Sequence, residues 1–357
     1  MAQLRRDPIR LTRLSIENFR GIDRLDLNLT DSQGVPLDTV VLAGANGCGK
    51  TTVLESIPIA VGMRQLLPED VAPFSEQIRF GAEQCEVTAT IQTIPPGPEP
   101  FIEKESWSLS QPLLKPGPSR SLRLVRPQIE YFSSRREPEA LGETPSQKGR
   151  KSEREARRIV ELKRRLVSAY FRRQQAERRG QVEMFGEEPF TRIQKVWDYL
   201  YGSSDQLEVI QVSNNPGSDW EVVLREAGKP IPLDVTSLAQ ARDLAPARSD
   251  IPRMVPLDRL SSGQVALFAF AGPLVFRDEP PEIVLVDEPE QHMHVLWQQL
   301  FVGLLRTIAP TAQLILATHS PEILRSVRSD QRFMLVPDSA FHATTSTSTA
   351  PSTEASS

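Results

Sequence analysis

The chain has 357 residues, 39% of them hydrophobic and 25% charged, with a formal net charge of −4. That is an ordinary soluble balance, with room for one large or two small domains and no overall nucleic-acid signal. Two cysteines, Cys48 and Cys85, exclude a disulfide framework, and no apolar stretch approaches the about 20 residues that span a bilayer. The first residues, Met1 to Arg6, lack the apolar core of a secretory leader, so a cytoplasmic location is expected. No internal repeat is found.

Alternation of apolar and polar residues predicts strands around Leu14–Phe19 and Arg24–Leu29, and the apolar run Thr39–Ala43 predicts a central strand covered on both faces. Directly after it comes Gly44-Ala-Asn-Gly-Cys-Gly-Lys-Thr-Thr52, the phosphate-loop pattern in its expected place between a strand and a helix. Its glycines let backbone N–H groups close around phosphate oxygens, and the following helix, about 50–60, adds its positive end. Lys50 is then placed to reach the β- and γ-phosphates, and the Thr51 hydroxyl to ligate Mg²⁺.

Further along, Cys85–Ile94, Trp107–Ser110 and Ser121–Val125 read as an antiparallel meander, and Ile129–Ser134 as another strand. A helical segment over 145–180 carries Ile159, Leu162, Leu166 and Tyr170 at near-heptad spacing. Between Lys148 and Arg179 it has thirteen basic residues against four acidic ones. Two readings stay open: a solvated amphipathic helix, or a surface for nucleic acid or an acidic partner. A second helix is predicted over 190–200, then strands over 207–212 and 220–224, then loops with one short helix. Residues 341–357, rich in Ser, Thr and Ala, are expected to be disordered.

Three late segments complement the phosphate loop. Leu260-Ser-Ser-Gly-Gln264 opens an apolar helix, both a cap and an anion nest. Ile283–Asp287 is a buried strand ending in Asp287 and Glu288, at the strand end where open α/β sheets bind ligands. Asp287 is suited to hold Mg²⁺ opposite Thr51, and Glu288 to orient or deprotonate an attacking water. Leu314–Thr318 is one more strand, ending at His319, whose imidazole N–H can sense a terminal phosphate. His292 and His294 hint at a metal pair, but no third ligand accompanies them.

In that order, these four elements resemble the head of an ATP-binding-cassette (ABC) ATPase. Asn18-Phe19-Arg20-Gly21-Ile22, the Leu-Ser-Ser-Gly-Gln form and the Asp-Glu-Pro-Glu-Gln-His-Met-His and Ala-Thr-His-Ser-Pro-Glu segments look like the SMC/RecF/OLD-like branch, soluble ATPases of DNA repair and anti-phage defence. The likeness covers roughly 10–64 and 255–337. It implies an α/β P-loop NTPase fold: a two-lobed head with a mixed central sheet, an antiparallel side sheet and a helical insertion.

The implied division is a first lobe over 1–135, a basic insertion over 136–205, a second lobe over 206–340 and a tail over 341–357. ATP and Mg²⁺ are the implied cofactors. Gly44, Asn46, Gly47, Cys48, Gly49, Lys50, Thr51 and Thr52 match the phosphate loop, and Arg20 matches an arginine that approaches the nucleotide. Ser261, Ser262, Gly263 and Gln264 match the signature that caps the γ-phosphate of the opposite protomer, which implies a dimer around ATP. Glu290–His294 match a segment across that interface. Catalysis falls to Glu288, His319 and Lys50, and the metal to Thr51 and Asp287.

The magnesium-sensing glutamine usual in cassette ATPases is unassigned, since Ser133 and Ser134 follow the strand where it belongs and Gln128 precedes it. OLD proteins carry a nuclease domain after the head, so a separate effector such as a nuclease is expected as partner. An ATP-dependent scaffold and the motor subunit of a transporter are the rival readings.

Overall fold

The structure is a computed structural model, and it describes residues 8–68, 74–94, 104–111, 127–134, 150–179, 189–215, 219–277, 279–291 and 293–336. The predicted strand at 121–125 and the tail at 341–357 lie outside them. The chain divides into two compact units, one formed by residues 1–140 and 280–357, the other by 141–279.

In the first unit, β1 (Ile9–Phe19) and β2 (Ile22–Asn28) form a hairpin, with Phe19 opposite Ile22 at its tip. The turn is tight enough that Asn18 and Arg20 both adopt left-handed backbone, at φ 52°. β4 (Cys85–Thr93) joins the other edge of β1, and β5 (Lys104–Gln111) follows it, giving an antiparallel sheet ordered β2-β1-β4-β5. β3 (Thr39–Ala43), β6 (Ile129–Phe132), β10 (Ile283–Asp287), β11 (Gln313–Thr318) and β12 (Arg332–Met334) form a second sheet ordered β12-β3-β11-β10-β6.

Every pairing in this second sheet is parallel, which corrects the expectation of a mixed central sheet. β3, β10 and β11 are buried along their whole length, as strands covered on both faces must be. The antiparallel side sheet is present as expected, and β1 and β2 belong to it. Helix α1 (Lys50–Ala60) packs on strands of both sheets, which is why nearly all of its residues are buried.

One side chain joins these layers. Gln313, fully buried, accepts from Leu11 N–H at 2.7 Å and donates to Leu11 C=O at 2.9 Å and Leu37 C=O at 2.8 Å. The β1–β2 ladder runs only from Arg13 onward, so it does not reach Leu11, and Gln313 answers that residue as a neighbouring strand would.

The second unit holds α2 (Arg150–Arg178), α3 (Pro189–Tyr201), α4 (Leu238–Leu244) and α5 (Ser262–Val275), with an antiparallel sheet of β7 (Asp205–Gln211), β8 (Trp220–Glu226) and β9 (Met254–Pro256). α2 buries Leu162, Leu166 and Ala169, and the Trp197 ring of α3 lies parallel to Phe268 of α5 at 5.7 Å between centroids. Ile159 falls among side chains outside the described set.

Several cations of α2 are paired rather than bare. Lys163 meets Glu221 at 2.7 Å and Asp258 at 3.6 Å, Arg165 meets Glu161 at 2.8 Å, and Arg173 meets Glu177 at 2.7 Å. Grouping by contact also differs from the expected lobe over 206–340. Residues 206–279 fall with the helices, whereas β10 and β11 bond to β3 and β6 and so belong with the phosphate loop.

Gln313→Leu keeps the volume but leaves three buried backbone groups unanswered, each costing about 1–3 kcal/mol. The expected result in urea unfolding is a loss of roughly 3 kcal/mol or more. A variant as stable as the parent would show that Gln313 does not join the layers.

Candidate nucleotide site

β3 ends at Ala43, and the chain turns through Gly44–Gly49 into α1. Gly44 sits at φ 155°, and a Cβ there would lie 2.5 Å from Leu335 C=O and 2.6 Å from Cys48 Sγ, so only glycine fits. Gly49 caps α1 in left-handed backbone without a side-chain bond, and no acidic residue occupies the first turn. The free N–H groups and the helix dipole there suit an anion.

Lys50 is 5% exposed and folds its ammonium back onto the loop, donating to Gly44 C=O and Ala45 C=O, both at 2.9 Å. Cys48 Sγ lies 4.0 Å from the same nitrogen. Ala45, Asn46 and Gly47 form the exposed tip, and Thr52 is half-buried on α1.

The parallel register brings three strand ends together beside this loop. Asp287, the last residue of β10, is fully buried, and Thr51 Oγ1 donates to its carboxylate at 2.9 Å. Ser134, just past β6, donates from Oγ to Asp287 Oδ2 at 2.6 Å. Burial pushes the Asp287 carboxyl above its ordinary range, and the two hydroxyls pull it back only in part.

The donor set is all oxygen, and among the described residues no cluster of three His, Cys, Asp or Glu could enclose a metal. A hard cation that keeps waters and phosphate oxygens in its shell, as Mg²⁺ does, fits Thr51 and Asp287.

Glu288 follows at φ 46°, a left-handed conformation costly for a non-glycine residue, with its N–H on Ala317 C=O at 2.8 Å. Gln291 Nε2 donates to the Glu288 carboxylate. Two residues on, Glu290 is buried against the end of β11. Thr318 Oγ1 donates to Glu290 Oε2 at 2.6 Å, and the His319 N–H and Nδ1 both lie 2.8 Å from Oε1. Lys50, Thr51, Asp287, Glu288 and His319 thus share one unit and one end of one parallel sheet.

Residues 13–72 match the family described as "AAA domain", and residues 234–325 match the one described as "AAA domain, putative AbiEii toxin, Type IV TA system". The two matches carry the phosphate loop on one side and the signature, paired carboxylates and histidine corner on the other. Over these two stretches the chain is similar to AAA-type ATPase domains.

The chain is 49% identical over 49 residues to the Retron Vc95 probable ATPase of Vibrio cholerae serotype O1 biovar El Tor, a stretch that is 14% of this chain and 10% of that relative. The match thus spans about a tenth of the relative's length. Among solved structures, the chain is similar to an SMC head bound to the C-winged helix domain of ScpA, at 13% identity over 91% of this chain and 93% of the other, with a TM-score of 0.49. It is also similar to the SMC head domain from Thermotoga maritima, at 13% over 94% and 99%, TM-score 0.48. A third likeness is to RecF-ATPrS, a recombination mediator of the RecFOR pathway, at 13% over 95% and 99%, TM-score 0.45.

Arg20, expected at the nucleotide, is engaged away from the phosphate loop. Arg20 donates to Glu55 and Gln77 and lies 5.2 Å over the Phe19 ring, so its guanidinium is engaged on α1, one turn past Thr51, rather than on the loop. Gln128 lies at the far end of the sheet, its N–H on Glu282 Oε2 at 2.7 Å. Ser134 stands against Asp287, just past the strand where the sequence left a glutamine unassigned. The only sequence signal for it was its position two residues past a strand.

Ser261 and Gln264 close a capping box at the start of α5, with Gln264 Oε1 accepting Ser261 N–H at 2.9 Å and Ser261 Oγ accepting Gln264 N–H at 3.4 Å. Gly263 is in the first turn of α5, next to Ser262, whose side chain lies outside the described set. These residues belong to the second unit. His292 is outside the described residues, and His294 Nδ1 caps α6 (Val295–Ile308) by accepting Leu296 N–H at 3.3 Å. That use of the ring removes the motive for a histidine metal pair.

Because the folded-state pKa of Asp287 is raised, the ionised carboxylate costs native stability as pH rises from the ordinary carboxylate range upward. Asp287→Asn removes that cost at neutral pH. The free variant is expected to melt at or above the parent's temperature while losing Mg²⁺-dependent nucleotide binding, both read by thermal shift with and without MgATP. A melt several degrees lower would show that the ionised carboxylate stabilises the corner.

Proposed function

We propose that the chain binds MgATP and hydrolyses it in sites shared by two copies, and that this cycle drives or gates a DNA-repair or anti-phage defence complex with a separate effector such as a nuclease. The observation that carries the reading is the Thr51–Asp287 contact beside the Lys50 loop, a cation corner next to a phosphate cradle.

In this reading the N–H groups of Gly47–Thr52 receive the phosphates, and Lys50 leaves the Gly44 and Ala45 carbonyls to meet them. Bound Mg²⁺ offsets the charge that develops on the phosphate oxygens. Glu288, pinned by Gln291 and its own strained backbone, takes a proton from the in-line water. Ser262 and Gly263 of the other copy close the site. ATP binding then favours the closed pair and hydrolysis the open one.

The defence setting is supported by the matched description that names a toxin–antitoxin system and by the likeness to a retron ATPase. The scaffold reading differs only in that the bound state, rather than turnover, does the work. Against the transporter reading stand the Asn18–Ile22 segment and the form of the signature.

Glu288→Gln is expected to keep ATP binding and lose turnover by about 10²–10⁴-fold, measured by phosphate release and by nucleotide titration. Lys50→Ala instead weakens binding itself. Full turnover in Glu288→Gln would overturn the catalytic assignment.

Ser262→Arg is expected to bind ATP as a monomer yet fail to associate with a slowly hydrolysed analogue in sedimentation. Mixing it with Lys50→Ala protein rebuilds one good site per pair and restores part of the activity. Normal association and turnover by Ser262→Arg alone would rule out a site shared by two copies.

A further inference from the structure

His319 is the second polar group at the hydrolytic corner, and its side chain is 50% exposed, yet one of its two ring nitrogens is already committed. Glu290 Oε1 accepts the backbone N–H of this residue at 2.8 Å, and the ring Nδ1 lies at the same distance from that oxygen. The carboxylate itself cannot turn away. Its other oxygen is fixed by Thr318 Oγ1 at 2.6 Å, and that hydroxyl accepts Ser320 N–H at 2.9 Å. Nε2 has no hydrogen-bond partner among the described residues.

An ionised carboxylate only accepts, so Nδ1 must carry the hydrogen. A neutral ring that bears its proton on Nδ1 has a bare lone pair on Nε2. Such a ring offers an acceptor outward and no donor.

We propose that Glu290 is a positioning residue that locks His319 as the Nδ1–H tautomer, so that Nε2 accepts a hydrogen bond from the attacking water instead of donating one to the terminal phosphate. The proposal rests on the ATPase reading for its catalytic half. Its structural half concerns the free protein alone. Water would then be held by two acceptors: the Glu288 carboxylate, which removes a proton, and His319 Nε2, which fixes the other O–H. His319 forms and breaks no covalent bond in this role, and its proton stays on Nδ1 throughout.

The chain has four histidines, few enough for the ring nitrogens to be resolved by two-dimensional ¹⁵N–¹H NMR, with the His319 ring identified by its loss in His319→Gln. The nucleotide-free parent is expected to show this ring as the Nδ1–H tautomer. Glu290→Gln, whose amide oxygen still accepts from Nδ1, should keep that tautomer and most of kcat. Glu290→Ala should revert to the Nε2–H form preferred by free imidazole and lower kcat on the order of a hundredfold, with ATP affinity within about twofold of the parent.

An Nε2–H ring in the parent overturns the proposal before any turnover is measured, and this reading needs only the His319→Gln variant that assigns the signal. A Gln variant that keeps the tautomer but is as slow as Ala overturns it too, because charge rather than proton placement would then matter. So does an Ala variant whose loss lies in ATP affinity, the signature of a phosphate contact. A parent that shows the Nδ1–H ring but hydrolyses no ATP under any condition defeats the catalytic half through the ATPase reading, with the lock itself intact.

Discussion

A carboxylate with no exposure to solvent has to be answered by its surroundings, and Asp287 is that group here. It stands at the end of a strand buried on both faces, and its answer comes from two hydroxyls on separate elements, Thr51 on α1 and Ser134 beyond β6. Neither hydroxyl would be in reach without the parallel register that places β3, β6 and β10 with their C-terminal ends on one side. The charge stays under-compensated, since its carboxyl still sits above the ordinary range. In the proposed reading a divalent ion bound at this corner would offset that residual cost.

The rest of the first unit holds this corner still. Gln313 stitches the antiparallel sheet to the parallel one, and α1 lies against strands of both, so the helix that carries Lys50 and Thr51 moves with neither sheet alone. Just past the carboxylate, Glu288 pays for its left-handed backbone with strain of order 1–3 kcal/mol. The surrounding bonds from Ala317 and Gln291 keep that residue where relaxation would otherwise carry it off.

What was legible in the sequence follows contiguity. The phosphate loop, the two apolar strands with their terminal acids and histidine, and the period of α2 and α3 are local patterns, and each maps onto a single described element. The parallel character of the whole central sheet was not local. It depends on which strands pair across the chain, and the mixed sheet was implied by the family resemblance rather than by any local pattern. Ser134 and Asp287 are 153 residues apart, so no spacing rule joins them. Glu290 reads as one more acid in an acidic run until β11 brings Thr318 and His319 against it. β12, only three residues long, carries too few alternations to register as a strand.

Lys50 has a consequence of a different kind. Its ammonium is not waiting in solvent, because it already satisfies two carbonyls of its own loop. Ligand capture is therefore an exchange reaction, in which one set of charge-assisted bonds is surrendered as another forms. The net gain is a difference between the two sets, and only a ligand that brings dense negative charge to the loop tips it forward. Adenosine has no such charge and leaves the lysine where it is, whereas a polyphosphate draws it out. The same contacts keep the empty loop in shape and make it ignore the uncharged half of its ligand, so discrimination for the phosphate chain is built into the resting state.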